Sequence, residues 1–285
     1  HRESRGRPAA EVGGDWGAEL KRAGFDAIIC EGISPRPVYL WIHDGEAALR
    51  DASHLWGLNT KPTQEAIRAE LGDKRIACSL IGPGGENRVP VACVMSGLKD
   101  AAGRTGMGAV MGSKRLKAIA VRGTQPLPLA DADRIRALAR EMARAVNAGE
   151  EAEDLHQWGT GGDLTDMIHT GNLPTRNFRD GDFVSGAEAL SSQTYMPIWG
   201  QGMEGCWACA VRCKKVFKAE EPYKVDPDYG GPEYETVGAL GSCCGVDDAV
   251  AVSRANELCN AYSLDTIGTG VHIAFAMEAY ERGLL

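Results

Sequence analysis

Aromatic residues make up only 6% of the 285-residue chain, and no apolar run approaches the roughly 20 residues that a bilayer span requires. A positive charge balance is missing as well. The formal net charge is -8, with acidic and basic side chains mixed along the sequence, which argues against a nucleic-acid surface or a basic membrane patch. There is no internal repeat and no low-complexity segment. Histidines at 43, 54, 156, 169 and 272 are scattered, and none pairs with another at metal-ligand spacing. No Gly-Lys-Ser/Thr sequence is present, which excludes a Walker A loop. No strand, G-x-G-x-x-G and helix follow one another, which excludes a dinucleotide fingerprint. The nine cysteines are too few and too uneven for a secreted disulfide scaffold, and six fall between residues 206 and 259. They read as reduced thiols serving a cofactor in a cytoplasmic compartment. The basic start, His1–Arg7, is followed by no apolar signal core, and the chain does not begin with methionine. It reads as a fragment.

What is present is glycine, at 36 residues, and 44% hydrophobic content, enough for one large domain or two ordinary ones. Short apolar runs at 27–30, 38–42, 75–81, 89–95 and 117–121 predict strands, and the Asp44-Gly45 turn predicts a hairpin from 38–42 into 47–50. A helix is expected over 62–71, with Thr60 as its cap and Gly72 as its stop. The composition changes at 124–128, a linker. Beyond it, helical spacing covers 131–147, 247–262 and 271–281, while 171–229 reads as a long irregular stretch, the kind that wraps a ligand or cofactor. The expected fold class is α+β: a sheet-rich domain over 1–125, then a mainly helical domain over 126–285.

Cys206, Cys209 and Cys213 form C-x2-C-x3-C. Three thiolates at this spacing can bind three corners of a cubane cluster, and Arg212, Lys214 and Lys215 would lower their pKa values. A structural zinc site and three unligated thiols are the other readings. Zinc commonly takes a second pair or a histidine, and neither follows before Cys243. Cys243, Cys244 and Cys259 are candidates for a fourth ligand. The stretch 101–114, with four glycines, could aim backbone N–H groups at an oxyanion while Arg104 and Lys114 add charge, or could be a plain structural loop. The glycines at 13–17 and 82–85 read first as turns. Glu233 and Glu235 precede the apolar run 237–240, where a carboxylate entering a buried segment suits proton transfer and equally suits a helix first turn. Asp265 could cap the next helix or accept hydrogen bonds from an amino-substituted ring.

These pieces occur together, in this order, in one family. The chain resembles the aldehyde ferredoxin oxidoreductases through 17–21, 50–57, 102–114, 173–178 (Leu-Pro-Thr-Arg-Asn-Phe), the cysteine triplet, Gly231-Pro232-Glu233-Tyr234-Glu235 and Leu264-Asp265-Thr266. The resemblance implies a sheet-rich base that cradles two pterins and a helical domain that closes over them. It implies a tungsten- or molybdenum-bis-pterin beside a [4Fe-4S] cluster held by Cys206, Cys209 and Cys213, whose fourth cysteine lies beyond this chain. Glu235 matches the carboxylate near the metal, a candidate acid/base, and Gly13, Ala101, Gly103, Arg104, Asn260, Leu264 and Asp265 match pterin-contacting positions. The expected activity is oxidation of aldehydes to carboxylic acids, with ferredoxin or an iron–sulfur subunit as electron acceptor, and a homodimer is compatible with it. An aromatic acyl-thioester ring reductase on the same scaffold and a cluster-only electron-transfer module are the alternatives.

The sequence departs from the family pattern in places. Glu11 stands where Asn is common, Asp100 where a basic residue can occur, and Asn260 and Ser263 replace Asp and Gly. Arg254 and Glu257 replace Glu and His, so a subunit-bridging iron does not carry over. The family's first strands and its C-terminal domain have no counterpart in these 285 residues.

Overall fold

The computed structural model describes residues 9–285, so the basic start lies outside the described residues. The chain divides into two compact units. One runs through Gln125 and takes in Asn260–Asp265, and the other holds Pro126–Cys259 and Thr266–Leu285. No helix among the described residues is long and apolar enough to cross a membrane.

The first unit is built on a six-stranded mixed sheet in the order β2-β1-β6-β3-β4-β5. Its strands are β1 (Val38–His43), β2 (Glu46–Asp51), β3 (Ala77–Leu80), β4 (Val94–Ser96), β5 (Asp100–Ala102) and β6 (Leu116–Arg122). The β1–β2 hairpin forms as the sequence predicts. Asp44 and Gly45 both take positive φ, 40° and 95°, the pattern of a two-residue turn that matches strand twist. Alternation along β1 serves both faces of the sheet. Tyr39 and Trp41 pack with Leu55, Ile67 and Leu80, while Leu40 and Ile42 pack with Leu20, Ala23 and Val121. The first face is covered by α2 (Thr60–Leu71) and the second by α1 (Trp16–Arg22). Asn59, not Thr60, holds the N-cap position of α2, and Gly72 ends it at φ 74°.

The expected strand at 27–30 does not form. The six-stranded sheet does not take that run up, and Ile29 is 85% exposed. The sixth place in the sheet belongs to β5, inside the glycine-rich stretch. Two short helices, α3 (Pro83–Glu86) and α4 (Met107–Ser113), pack backbone to backbone. A Cβ at Gly112 would overlap the Gly85 carbonyl, so the close approach requires glycine there.

Arg122 ties this unit together by pairing with Glu19 at 2.9 Å and Asp73 at 3.0 Å. Hydrogen bonds from Arg75, then from Arg122, hold the Asp73 carboxyl well below the usual range, and Thr124 does the same for Asp44. A carboxyl whose pKa is depressed in the folded state contributes stability above the unfolded value, about 3.9, and loses it as pH falls through the folded value. The melting temperature is therefore expected to hold between pH 7 and 5 and to drop below about pH 4. An Asp73→Asn variant should differ less from wild type as pH falls. A constant gap across that range in calorimetry would refute the assignment.

The second unit opens with α5 (Ala132–Asn147), capped by the Asp131 carboxylate accepting from Arg134 N at 2.9 Å, and α6 (Glu150–Trp158). No residue of α5 is buried, so its stability is local. Asp131→Ala should cost about 1 kcal/mol of that local stability, read as a severalfold loss of hydrogen-exchange protection confined to 132–147. The irregular stretch expected over 171–229 is in fact structured. It contains α8 (Val184–Leu190) and α9 (Ser192–Trp199), following α7 (Thr165–His169), and a hairpin of β7 (Gly200–Glu204) with β8 (Lys214–Phe217). Gly186 and Pro197 interrupt helices of only seven and eight residues, which hides their period. The core joins Leu164, Leu173, Leu190, Tyr195, Phe217, Val225, Val237, Val250 and Val252. The short α10 (Tyr234–Thr236) runs into a π-helical turn, Val237–Gly241, that is buried throughout. Then come α11 (Ala249–Tyr262) and α12 (Thr266–Glu281), the latter starting five residues before its expected Val271.

Candidate functional site

In the first unit, two residues of the glycine-rich stretch, Gly103 and Arg104, lie against Asp265. Leu264 bridges to Ala92, and Asp265 N donates to Val91 O at 2.9 Å, which fixes the acid beside the segment that leads into β4. The Asp265 carboxylate is buried and pairs with Arg104 Nε at 3.6 Å, whose side chain is 65% exposed. A Cβ at Gly103 would stand 3.4 Å from Asp265 Oδ1, so the missing side chain leaves room against that oxygen. Ala101 is exposed on β5. Gly13 is exposed, and a Cβ on its neighbour Gly14, at φ 89°, would stand 3.0 Å from Asp100 Oδ2 and 3.1 Å from Ser96 Oγ. Asn260 is buried, with its carbonyl accepting from Thr60 Oγ1 at 3.0 Å. Lys114 does not share the Arg104 end of the loop: it caps α4 and donates to Gly32 O at 3.3 Å. The set offers a buried acceptor, an exposed guanidinium and side-chain-free backbone, which fits a flat ring bearing N–H donors and a phosphate.

In the second unit, the three cysteines occupy the loop of the β7–β8 hairpin. Met203 faces Lys215 and Glu204 faces Lys214 in register, so Cys213 enters β8 directly and Cys206 follows β7 closely. Cys206 and Cys213 are half-buried and Cys209 is exposed, and all three are free thiols. The loop is shaped by positive φ at Ala208 and Arg212, by Arg212 Nη2 donating to Met203 O at 3.1 Å, and by a His156 Nδ1 contact to Val211 O at 2.7 Å. Among the described residues no three Cys, His, Asp or Glu side chains converge as they would on a single ion. A cubane gives each thiolate a separate iron, so its ligands surround a volume rather than meet at a point. The donor set fits that case. Cys243, Cys244 and Cys259 are all buried, and burial pushes the Cys244 thiol up to about 11.

The cations around the loop do not lower the Cys213 pKa as their sequence positions suggest. Burial raises it first and the Glu233 carboxylate raises it further, outweighing Lys214 and a backbone hydrogen bond, which lower it. Lys215 is turned inward at 1% exposure and donates to Thr160 O at 2.6 Å. Glu233 accepts from the Thr160 hydroxyl and lies 3.7 Å from Lys214 Nζ. Thr160 Oγ1 also accepts from Tyr234 N at 2.9 Å, which ties the start of α10 to the same threonine. A Cβ at Gly159 would come within 2.7 Å of Cys213 O and 2.8 Å of Lys215 Nζ, so glycine at φ 67° is required where the end of α6 meets the hairpin.

Glu235 is exposed in α10, just ahead of the buried π turn rather than within it, and adds to the burial that raises the Tyr234 hydroxyl pKa. With Glu233, Tyr234, Thr160, Asp166 and Met167 it lines an open cleft of about 770 Å³. Thr160, Lys215 and Glu233 form a network that the motifs did not single out. Its one local signal was the alternation Lys215-x-Phe217, which puts the lysine on the same inward face as a core phenylalanine. Arg254 and Glu257 pair with each other, and Glu257 accepts from Asp226 N at 2.9 Å.

The sequence matches two family models. They are the aldehyde ferredoxin oxidoreductase N-terminal domain over residues 5–123 and domains 2 and 3 of the same family over 137–285. It is 41% identical over 97% of its length to a tungsten-containing aldehyde ferredoxin oxidoreductase of Thermococcus kodakarensis. It is 39% identical over 96% of its length to one of Pyrococcus furiosus, and it covers 45% of each. It therefore spans about half the length of the curated relatives it matches. Among solved structures, it is similar to the active site complex BamBC of benzoyl coenzyme A reductase bound to 1,5-dienoyl-CoA. There the TM-score is 0.79 at 31% identity, covering 97% of this chain and 43% of that one. The chain belongs to the aldehyde ferredoxin oxidoreductase family.

Proposed function

We propose that the protein oxidises an aldehyde to a carboxylic acid with an oxygen from water, releasing two protons and two electrons. The observation that supports this most is the pair of family matches, which together take in almost the whole chain. When bound, a tungsten- or molybdenum-bis-pterin supplies the two-electron chemistry and a [4Fe-4S] cluster the single-electron relay. Asp265 would accept pterin ring N–H groups, and Arg104 would donate to phosphate oxygens. Gly13, Ala101, Gly103, Asn260 and Leu264 would line the same cradle. Cys206, Cys209 and Cys213 would hold the cluster. Glu235 would take the proton from the water oxygen that adds to the substrate carbonyl carbon. The acceptor would be ferredoxin or an iron–sulfur subunit, and the nine free cysteines suit a reducing cytoplasm.

Assay of the anaerobically purified complete gene product tests this. Aldehyde-dependent reduction of a viologen dye is expected, and its absence from protein that carries tungsten or molybdenum would overturn the activity. The similarity to the benzoyl coenzyme A reductase complex favours a second reading, reduction of an aromatic acyl thioester at low potential. Thioester turnover without aldehyde turnover would select it.

A further inference from the structure

Lys215 is the most deeply buried cation of the second unit's hairpin, two residues beyond a proposed cluster ligand. Its ammonium is not spent on solvent. It donates to the Thr160 carbonyl, while the Thr160 hydroxyl bonds Glu233 and receives the Tyr234 N–H. Its backbone carbonyl accepts from Gly231 N at 2.7 Å, just before that same turn. The strand that leaves Cys213 and the turn that carries Glu235 are thus pinned to one threonine from two sides. A buried cation with such partners is costly to keep unless its geometry is used.

We propose that Lys215 is a positioning residue: through Thr160 it locks the cysteine hairpin to the Glu233–Glu235 turn and so holds the cluster ligands in place. This rests on the proposed cluster at Cys206, Cys209 and Cys213. The geometry in which a protein holds the cluster's ligands, and the hydrogen bonds around them, help to set both its potential and its hold on iron.

The test compares the complete, anaerobically purified wild-type protein with Lys215→Met, which keeps the length of the stem and removes the charge. Dye-mediated titration followed by electron paramagnetic resonance should give a cluster midpoint displaced from the wild-type value for Lys215→Met. Iron loss on exposure to a chelator should be at least threefold faster. Thr160→Val, which keeps the carbonyl that Lys215 uses, should leave the midpoint near wild type. It should lower kcat at least threefold, because the Glu235 turn is released; it carries the test if Lys215→Met does not fold. Wild-type midpoint and iron retention in Lys215→Met, or wild-type kcat in Thr160→Val, would overturn the positioning role while leaving the cluster itself standing. Wild-type protein without iron would overturn both.

Discussion

Cys209→Ala in the complete protein is expected to abolish the iron–sulfur signal and to lower acceptor-linked turnover by more than about 10²-fold. Loss of a group that merely orients a metal ligand already costs about 10- to 100-fold in affinity or activity, so loss of a ligand should cost more. Cys209 is the cysteine to change because it is exposed and takes no part in a core cluster. The hairpin is held by the β7–β8 ladder, by Arg212 on Met203 O and by His156 at Val211 O, none of which needs the thiol. The variant should therefore keep the wild-type melting temperature of the iron-free protein. Iron and acid-labile sulfide assays check it, and wild-type iron content in Cys209→Ala would remove the hairpin from consideration as the cluster site.

Glu235→Gln is the second large effect. Loss of a general acid or base costs about 10²- to 10⁴-fold in kcat, and the cost should fall on kcat with KM little changed, because the proton moves only in the transition state. The change should be nearly silent for folding, since the side chain is exposed and the turn is held by Thr160 on Tyr234 N. Glu233→Gln should behave differently. That carboxylate sits among Thr160, Lys214 and Lys215, so its loss leaves buried positive charge less compensated and should lower stability as well as rate. Steady-state kinetics with thermal melts on both variants separates them. Equal kcat loss with equal destabilisation would mean that Glu235 has no role in proton transfer.

Local features were legible in the sequence. Asp44-Gly45 specified its hairpin because a two-residue turn depends only on its own φ preferences. Asp131 and the spacing of Ile135, Leu138, Met142 and Val146 gave α5, although that apolar stripe is exposed among the described residues. No strand forms at 27–30, because apolar content alone does not specify pairing with the sheet. Strand β5 was missed because three residues between glycines carry no period. At the site, C-x2-C-x3-C is a local signal and was readable. The network behind it was not, because Thr160 meets Lys215 across 55 residues and Glu233 across 73. Charge beside a cysteine in sequence does not set its pKa: Lys215 turns inward with Phe217 and Arg212 turns to a backbone carbonyl, and burial with Glu233 leaves the Cys213 thiol raised.

Metal analysis of the anaerobically purified complete gene product tests the central claim most directly. About one tungsten or molybdenum and about four irons per chain are expected for a bis-pterin centre beside a [4Fe-4S] cluster. Iron with neither heavier metal would contradict the pterin site, and zinc in place of iron would contradict the cysteine assignment as well.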